Sequence, residues 1–297
     1  MSFKKILGQD KAVNTLKGFI KSGRVPRAMI FGGPAGVGKA AAALEFAKTL
    51  NCLDAASAAA QDNCGFCTNC KHIDAKTHPD IIFADFAYQA ALRGEEVEKQ
   101  QTLRVDTVRA LTAASQQRAA LAKWKVYIID SAEKMNDEAA NALLKFIEEP
   151  PQNTVWILIS AKREAMLATI KSRCQTVNFA PLAADIIENI LKDNFVEAAL
   201  AARAAGYAGG STAKAMLAAQ TLGDFAALPT GAAFAPAAAM SLSKTLARAR
   251  VQAACALDML AVAAHGRWIA AADASRRAEL GGLMQKLTFY KRALNRN

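Results

Sequence analysis

The sequence predicts an α/β fold: a parallel β-sheet covered by helices, carrying a phosphate-binding loop and followed by all-helical segments. Three observations predict it. Short β-branched runs alternate with longer helical patterns up to about Leu182, the signature of a parallel sheet covered on both faces. The run from Gly33 to Ala40 stands between an apolar strand and a helical stretch, the context that a G-x-x-x-x-G-K loop requires. Beyond Leu182 the strand-like runs vanish, alanine dominates and the apolar spacing becomes helical, as at Ile186, Ile187, Ile190 and Leu191.

In chain order, Arg27 to Phe31 reads as a buried strand and Lys39 to Leu50 as the helix after the loop. Asp80 to Phe83 is a weaker strand, and Val105 to Arg118 is helical in pattern. Val126 to Ile129 and Val155 to Ile159 are the strongest strands, each a continuous β-branched or aromatic run. Gly209-Gly210 interrupts the helical region. The alanine-rich stretch Phe225 to Ser243, with Pro229, Gly231 and Pro236, reads as a linker and not as a membrane span, which needs about 20 strongly apolar residues. The expected domains are 1–182, 183–231 and 232–297.

The chain has 297 residues, enough for about two domains at roughly 150 residues each. With 53% hydrophobic and 21% charged residues it is globular in composition, which excludes general disorder and collagen-like classes. Its 37 Lys and Arg against 26 Asp and Glu give a net charge of +11, a field that attracts polyanions such as nucleic acid. Ser241 to Asn297 carries ten Lys and Arg against three Asp and Glu, so much of that field lies there. This is either a solvated helix face or a functional basic surface. The first ten residues turn polar before an apolar region forms, so no secretory signal and no membrane partner are expected, and the localisation is read as cytoplasmic.

In Gly33-Pro34-Ala35-Gly36-Val37-Gly38-Lys39-Ala40 the glycines let backbone N–H groups converge on phosphate oxygens, and Lys39 would reach the β/γ-phosphates. The eighth position should be Ser or Thr to ligate Mg²⁺, but Ala40 carries only a methyl. Val126 to Asp130 ends an apolar strand in an acid that would orient the metal, yet the next residue, where an ATPase places a glutamate, is Ser131. A serine hydroxyl is a poor general base at neutral pH. Hydrolysis by this chain is therefore not expected. Two readings of the loop stay open, a relic that keeps its shape and a site that binds ATP without turnover.

Cys64-Gly65-Phe66-Cys67-Thr68-Asn69-Cys70 places three thiols at C-x₂-C-x₂-C, and eleven residues separate Cys52 from Cys64. Tight C-x₂-C turns aim thiolates at one point, and four cysteines complete the tetrahedron that a structural Zn²⁺ prefers. An iron–sulfur cluster is the rival, though it usually brings a different spacing. His72 competes with Cys52 for the fourth position. Cys174 and Cys255 stand alone and read as small buried apolar residues.

The run Ile128-Ile129-Asp130-Ser131-Ala132-Glu133-Lys134-Met135, then Asn141-Ala142-Leu143-Leu144-Lys145 and Glu148-Glu149-Pro150-Pro151, resembles the AAA+ subunits of bacterial DNA polymerase III clamp loaders. So do Thr169-Ile170-Lys171-Ser172-Arg173-Cys174, Gly8-Gln9 and Gly209-Gly210-Ser211. The resemblance is specific from about residue 3 to 182 and thin beyond 220. It implies a RecA-like AAA+ core at 1–182 with a four-cysteine zinc module at about 52–72. A helical lid at 183–231 and a helical collar at 232–297 would follow. Degenerate nucleotide motifs beside an intact Ser-Arg-Cys resemble the delta-prime type of subunit more than the gamma/tau motor, although the motor stays as the alternative. Lys214 stands near where a motor has a lid arginine. In the family Arg173 would be an arginine finger acting in trans on a neighbour's ATP, and Ser160 would be the polar sensor position. The implied partners are gamma/tau and delta subunits in a heteropentamer, the sliding clamp, and primed DNA through the assembly. The chain would be a subunit of a DNA-directed DNA polymerase holoenzyme without a complete active site of its own. A third reading is a zinc-ribbon nucleic-acid binder. The segment ending at Asn297 reads as short for a collar and is expected to gain order on assembly.

Overall fold

The computed structural model describes residues 2–226, individual positions between 254 and 269, and the helix Ala274–Arg296. The expected linker Phe225 to Ser243 lies almost wholly outside the described residues, and so does much of the expected collar. The chain divides into two compact units, Met1–Pro181 and Leu182–Asn297.

The first unit is built on five strands: β1 (Ala28–Gly32), β2 (Ile81–Ala84), β3 (Lys125–Ile129), β4 (Thr154–Ser160) and β5 (Gln175–Asn178). They lie in the order β2-β3-β4-β1-β5, and each neighbouring pair is parallel. The predicted α/β parallel sheet is thus borne out. β1, β3 and β4 are buried along their whole length, which explains why they read as continuous apolar runs and not as alternating ones. β5 went unanticipated because its sequence, Gln175 to Asn178, buries only Val177. It is an edge strand with little hydrophobic signal.

Helices α1 (Asp10–Lys21), α2 (Lys39–Asn51), α3 (Ala55–Ala59), α4 (Thr68–Asp74), α5 (Phe86–Arg93), α6 (Val105–Gln116), α7 (Asp137–Glu148) and α8 (Ala168–Lys171) surround the sheet. On one face, Ile30, Tyr127, Ile129, Trp156 and Leu158 pack with Val108 and Leu111 of α6 and Leu143 and Ile147 of α7. Residues two apart along a strand share a face, so Met29, Phe31, Ile128 and Ile157 belong to the other side. There α2 packs against β4 and α1 against β5. Tyr127 stacks on Trp156 at 4.7 Å between ring centroids.

In the second unit α9 (Ala184–Asp193), α10 (Ala198–Tyr207) and α11 (Thr212–Ala226) pack on one another. Ala201, Ala204, Ala205, Ala215, Ala218 and Ala219 are buried there, and small side chains let the helices approach closely. Gly209 and Gly210 both take positive φ, at 54° and 85°, and turn the chain between α10 and α11. Among the described residues no helix is long and apolar enough to cross a membrane.

Candidate functional site

The register places Gly32 beside Ser160, so β1 and β4 end together. The phosphate loop after β1, Asp130 after β3 and Ser160 at the end of β4 therefore meet at the carboxyl edge of the sheet, where open α/β folds bind ligands. Gly33 has no substitute: at φ 151° a Cβ would lie 2.2 Å from the carbonyl oxygen of Phe179. Gly38, at φ 94°, starts α2 and aims its N-terminus at the loop. Ala35, Gly36, Gly38, Lys39, Ala40, Asp130, Ser131 and Glu133 line a cleft of 220 Å³. Val37, in the same loop, is buried and does not line the cleft.

Lys39 Nζ donates to the carbonyl oxygens of Gly33 at 2.6 Å and Pro34 at 2.5 Å, so the loop's own backbone holds the ammonium. Burial lowers its pKa, while the carboxylates of Asp130 and Glu133 act to raise it. Burial raises the pKa of Asp130, and Asp85 and Glu133 push the same way against a hydrogen bond from the Ser131 N–H. Neither Ala40 nor Ser131 brings a carboxylate to this cleft. Ser160 is fully buried, and its hydroxyl accepts from Lys162 N–H at 3.1 Å, as a strand-end hydroxyl does.

Arg173 sits elsewhere. It follows α8 and precedes β5, at the amino edge of the sheet, where Arg27 precedes β1. The register sets Arg173 level with Arg27, and from there to Gly33 is six residues along β1, about 20 Å at roughly 3.3 Å per residue. Its Nε contacts Glu148 Oε1 at 2.5 Å, and its Nη1 donates to Thr169 O at 3.1 Å and Ser172 Oγ at 3.2 Å. The side chain is 41% exposed and borders a 390 Å³ pocket.

The sulfurs of Cys52, Cys64, Cys67 and Cys70 lie within 4.8 Å of one another, with Cys64 and Cys70 at 4.0 Å. A tetrahedron with zinc–sulfur arms of about 2.3 Å has edges of about 3.8 Å, so the donor set fits a structural Zn²⁺. Backbone N–H groups of Cys64 and Cys67 point at the sulfurs of Cys52 and Cys64, at 3.4 and 3.3 Å, which favours thiolates. Burial works against ionisation at Cys67, but N–H groups of Leu53 and Cys70 bring its pKa down to about 7. Burial pushes the Cys70 and Cys52 thiols up. His72 is not in the cluster; its Nδ1 lies 3.1 Å from Thr77 Oγ1. None of the six cysteines forms a disulfide. Cys174 is buried, and burial raises its thiol to about 12, whereas Cys255 is only half-buried.

A family model described as "DNA polymerase III, delta subunit" matches residues 8–183. The chain belongs to this family. It is 35% identical over 183 residues to the DNA polymerase III subunit delta' of Bacillus subtilis, covering 62% of this chain and 51% of that protein. It is 46% identical over 142 residues to the delta' subunit of Pseudomonas aeruginosa, covering 48% of this chain and 39% of that one. The matched part thus spans about half or less of these relatives' own length. The tau subunit of Escherichia coli is 30% identical over 191 residues, covering 64% of this chain and 27% of that one. The fold resembles that of a DNA polymerase III gamma subunit-related protein from Thermotoga maritima, with a TM-score of 0.54 at 15% identity over 92% of both chains.

Gln9 and Glu133 also shape this family member's cleft. Gln9, 3% exposed, donates through Nε2 to Ala180 O at 2.7 Å and Val37 O at 3.3 Å, and its Oε1 accepts from Ala180 N–H at 3.0 Å. It ties the phosphate loop to the end of the sheet. Glu133 lines the cleft, its Oε1 accepting from Ala161 N–H at 3.3 Å. The Gly8-Gln9 pair marks Gln9 and the run Ile128 to Met135 contains Glu133, but the roles of both depend on backbone partners distant in sequence.

Proposed function

We propose that this chain is a delta-prime-like subunit of a DNA polymerase III clamp loader that does not hydrolyse ATP and presents Arg173 to the ATP of a neighbouring gamma/tau-type subunit. The observation that carries the reading is the separation of Arg173, level with Arg27, from the chain's own phosphate loop at Gly33 by six residues of extended chain, roughly 20 Å. A guanidinium there cannot reach a nucleotide in its own loop, but it stands at a surface open to another subunit. Ala40 and Ser131 support the rest: one cannot ligate Mg²⁺ and the other cannot polarise water.

In this reading Gly33, Gly36, Val37, Gly38, Lys39, Ala40, Asp130 and Ser160 form a nucleotide site that keeps its shape without turnover. Cys52, Cys64, Cys67 and Cys70 hold a structural Zn²⁺, which supplies cross-linking and no open coordination position. The domains 1–182, 183–231 and 232–297 serve as AAA+ core, lid and collar. The partners are gamma/tau and delta subunits in a heteropentamer, acting on the sliding clamp and primed DNA.

ATP hydrolysis by the purified chain, and then by a loader reconstituted with and without it, tests the proposal. Negligible turnover alone and a stimulated rate only in the assembly are expected. The similarity to tau subunits favours one second reading, a gamma/tau-like motor; sustained turnover by the chain alone would establish that reading instead.

A further inference from the structure

The pocket beside Arg173 contains a second arginine. Its charged lining residues are Arg27, Arg173 and Glu148. Arg173 is held from behind through Nε and Nη1, which leaves Nη2 without a protein partner among the described residues. Among the described residues Arg27 bonds through Nη1 alone, to Pro150 O at 3.3 Å, which leaves most of its fork open there. Both residues sit at the amino edge of the sheet, one before β1 and one before β5, on strands that pair directly.

Glu148 occupies the last turn of α7, where the helix dipole disfavours a carboxylate and favours a cation. Its place is therefore poor for the helix and good for Arg173, a local conflict of the kind found at functional sites. The ion pair has a further consequence. Glu148 fixes Arg173 but also cancels its charge, so these two residues alone give the pocket no net attraction for an anion. Arg27 makes the lining net positive.

We propose that this pocket is a two-arginine receptor for the terminal phosphates of a nucleoside triphosphate bound by the adjacent subunit. Arg27 supplies the attraction, Arg173 meets the charge that develops on the transferred phosphate, and Glu148 is the positioning residue for Arg173. This rests on the assignment of Arg173 above and adds to it a division of labour. Attraction felt equally by bound substrate and transition state changes KM, whereas a contact strengthened in the transition state changes kcat.

The test is steady-state ATP hydrolysis, with primed DNA, by the loader reconstituted from this chain and its motor partners. The readout is the part of turnover that Arg173→Ala removes. Arg27→Ala is expected to raise the KM of that part about tenfold, the effect of losing one charge-assisted hydrogen bond, with kcat nearly unchanged. Arg27→Lys restores a near wild-type KM, because a point charge suffices for attraction. Glu148→Gln, which keeps an acceptor but removes the charge that cancels Arg173, lowers kcat through lost positioning and lowers KM, the opposite direction from Arg27→Ala. Thermal unfolding of each variant excludes a folding defect, and Arg27→Gln replaces Arg27→Ala should the latter unfold. A wild-type KM for Arg27→Ala, in a loader that Arg173→Ala cripples, overturns this inference and leaves the proposed function standing. A loader indifferent to Arg173→Ala overturns both.

Discussion

At the scale of single residues, Lys39 and Arg173 have opposite surroundings. Lys39 is buried and bonded to its own loop, in a cleft where Ala40 offers no hydroxyl to a metal and Ser131 stands where an ATPase has its glutamate. Arg173 is half-exposed and held at the far edge of the sheet. Lys39→Ala should therefore change the DNA-stimulated ATPase of an assembled loader little. Arg173→Ala should lower the dependent turnover by about 10³-fold or more, the range seen for fingers supplied in trans. Comparing kcat for the two loaders checks this, and the reverse ranking would make the chain a motor. Gln9 matters in another way. Gln9→Ala strips partners from both polar groups of Ala180 and from the Val37 carbonyl, so a loss of about 2–3 kcal/mol is expected in urea unfolding.

At the scale of elements, the cysteine module is an excursion between α2 and α4 tied back by buried polar groups. Lys48, wholly buried, bonds Glu45 at 2.6 Å and Asp74 at 2.7 Å. Burial acts to lower its pKa, but Asp74 and Glu45 overcome this and hold it above the ordinary lysine value. Asn63 joins the same network through Glu45 Oε2 at 2.8 Å, and Asp62 accepts the Phe3 N–H at 3.2 Å. Zinc removal should thus loosen Cys52 to Cys70 together with the first turn of the chain, and leave the sheet folded, because metal binding energy is folding energy for that module alone. Hydrogen exchange with and without chelator reads this, and loss of protection in β1 or β4 would contradict it. Metal analysis should find about one zinc per chain, the number that four cysteines can hold.

One carboxylate holds the segment after α6. The Asp80 carboxylate accepts N–H groups of Ala120, Leu121 and Ala122 at 2.9, 2.7 and 2.8 Å. Burial acts to raise its pKa, but these amides win and hold it below the ordinary 3.8. An acid with a depressed folded pKa contributes stability that is complete above its unfolded value and disappears as pH falls through the folded one. Acid should therefore weaken the 120–122 segment only below about pH 4, near the unfolded value. In Asp80→Asn the amide nitrogen replaces one acceptor oxygen, so at least one of the three N–H groups loses its partner and the others lose a charged acceptor. A loss of about 2–4 kcal/mol is expected at neutral pH, and the acid sensitivity of that segment should vanish. Urea titrations at pH 7 and pH 3.5 for both proteins check it.

At the scale of the molecule, the unit Met1–Pro181 contains the whole sheet, the cysteine module and the Arg173 pocket. Expressed alone, residues 1–181 should unfold cooperatively and retain zinc, since every hydrogen bond of Gln9, Asp80 and Lys48 described above closes within it. Calorimetry of this fragment, with one transition close to that of the first unit in the full chain, is the check. A fragment that stays unfolded with zinc present would show that the first unit depends on the second.

Periodicity and loop chemistry by themselves determined the α/β class, the phosphate loop with its missing groups, and the four clustered cysteines. Those signals are local: a buried strand is a continuous apolar run, a phosphate loop is a fixed spacing of glycines, and close thiols come from C-x₂-C turns. Tertiary structure decided what depends on distant partners. Gln9 is a clamp only because Ala180, two residues past β5, lies beside the loop, and β5 was illegible because an edge strand buries one residue in its run. The same holds for Arg173. Its motif marked it, but only the strand order and register place it at the opposite end of β1 from the phosphate loop, next to Arg27 and Glu148. Parallel strands with crossover helices bring residues together by sheet position and not by sequence distance, so a spacing in the chain cannot report it.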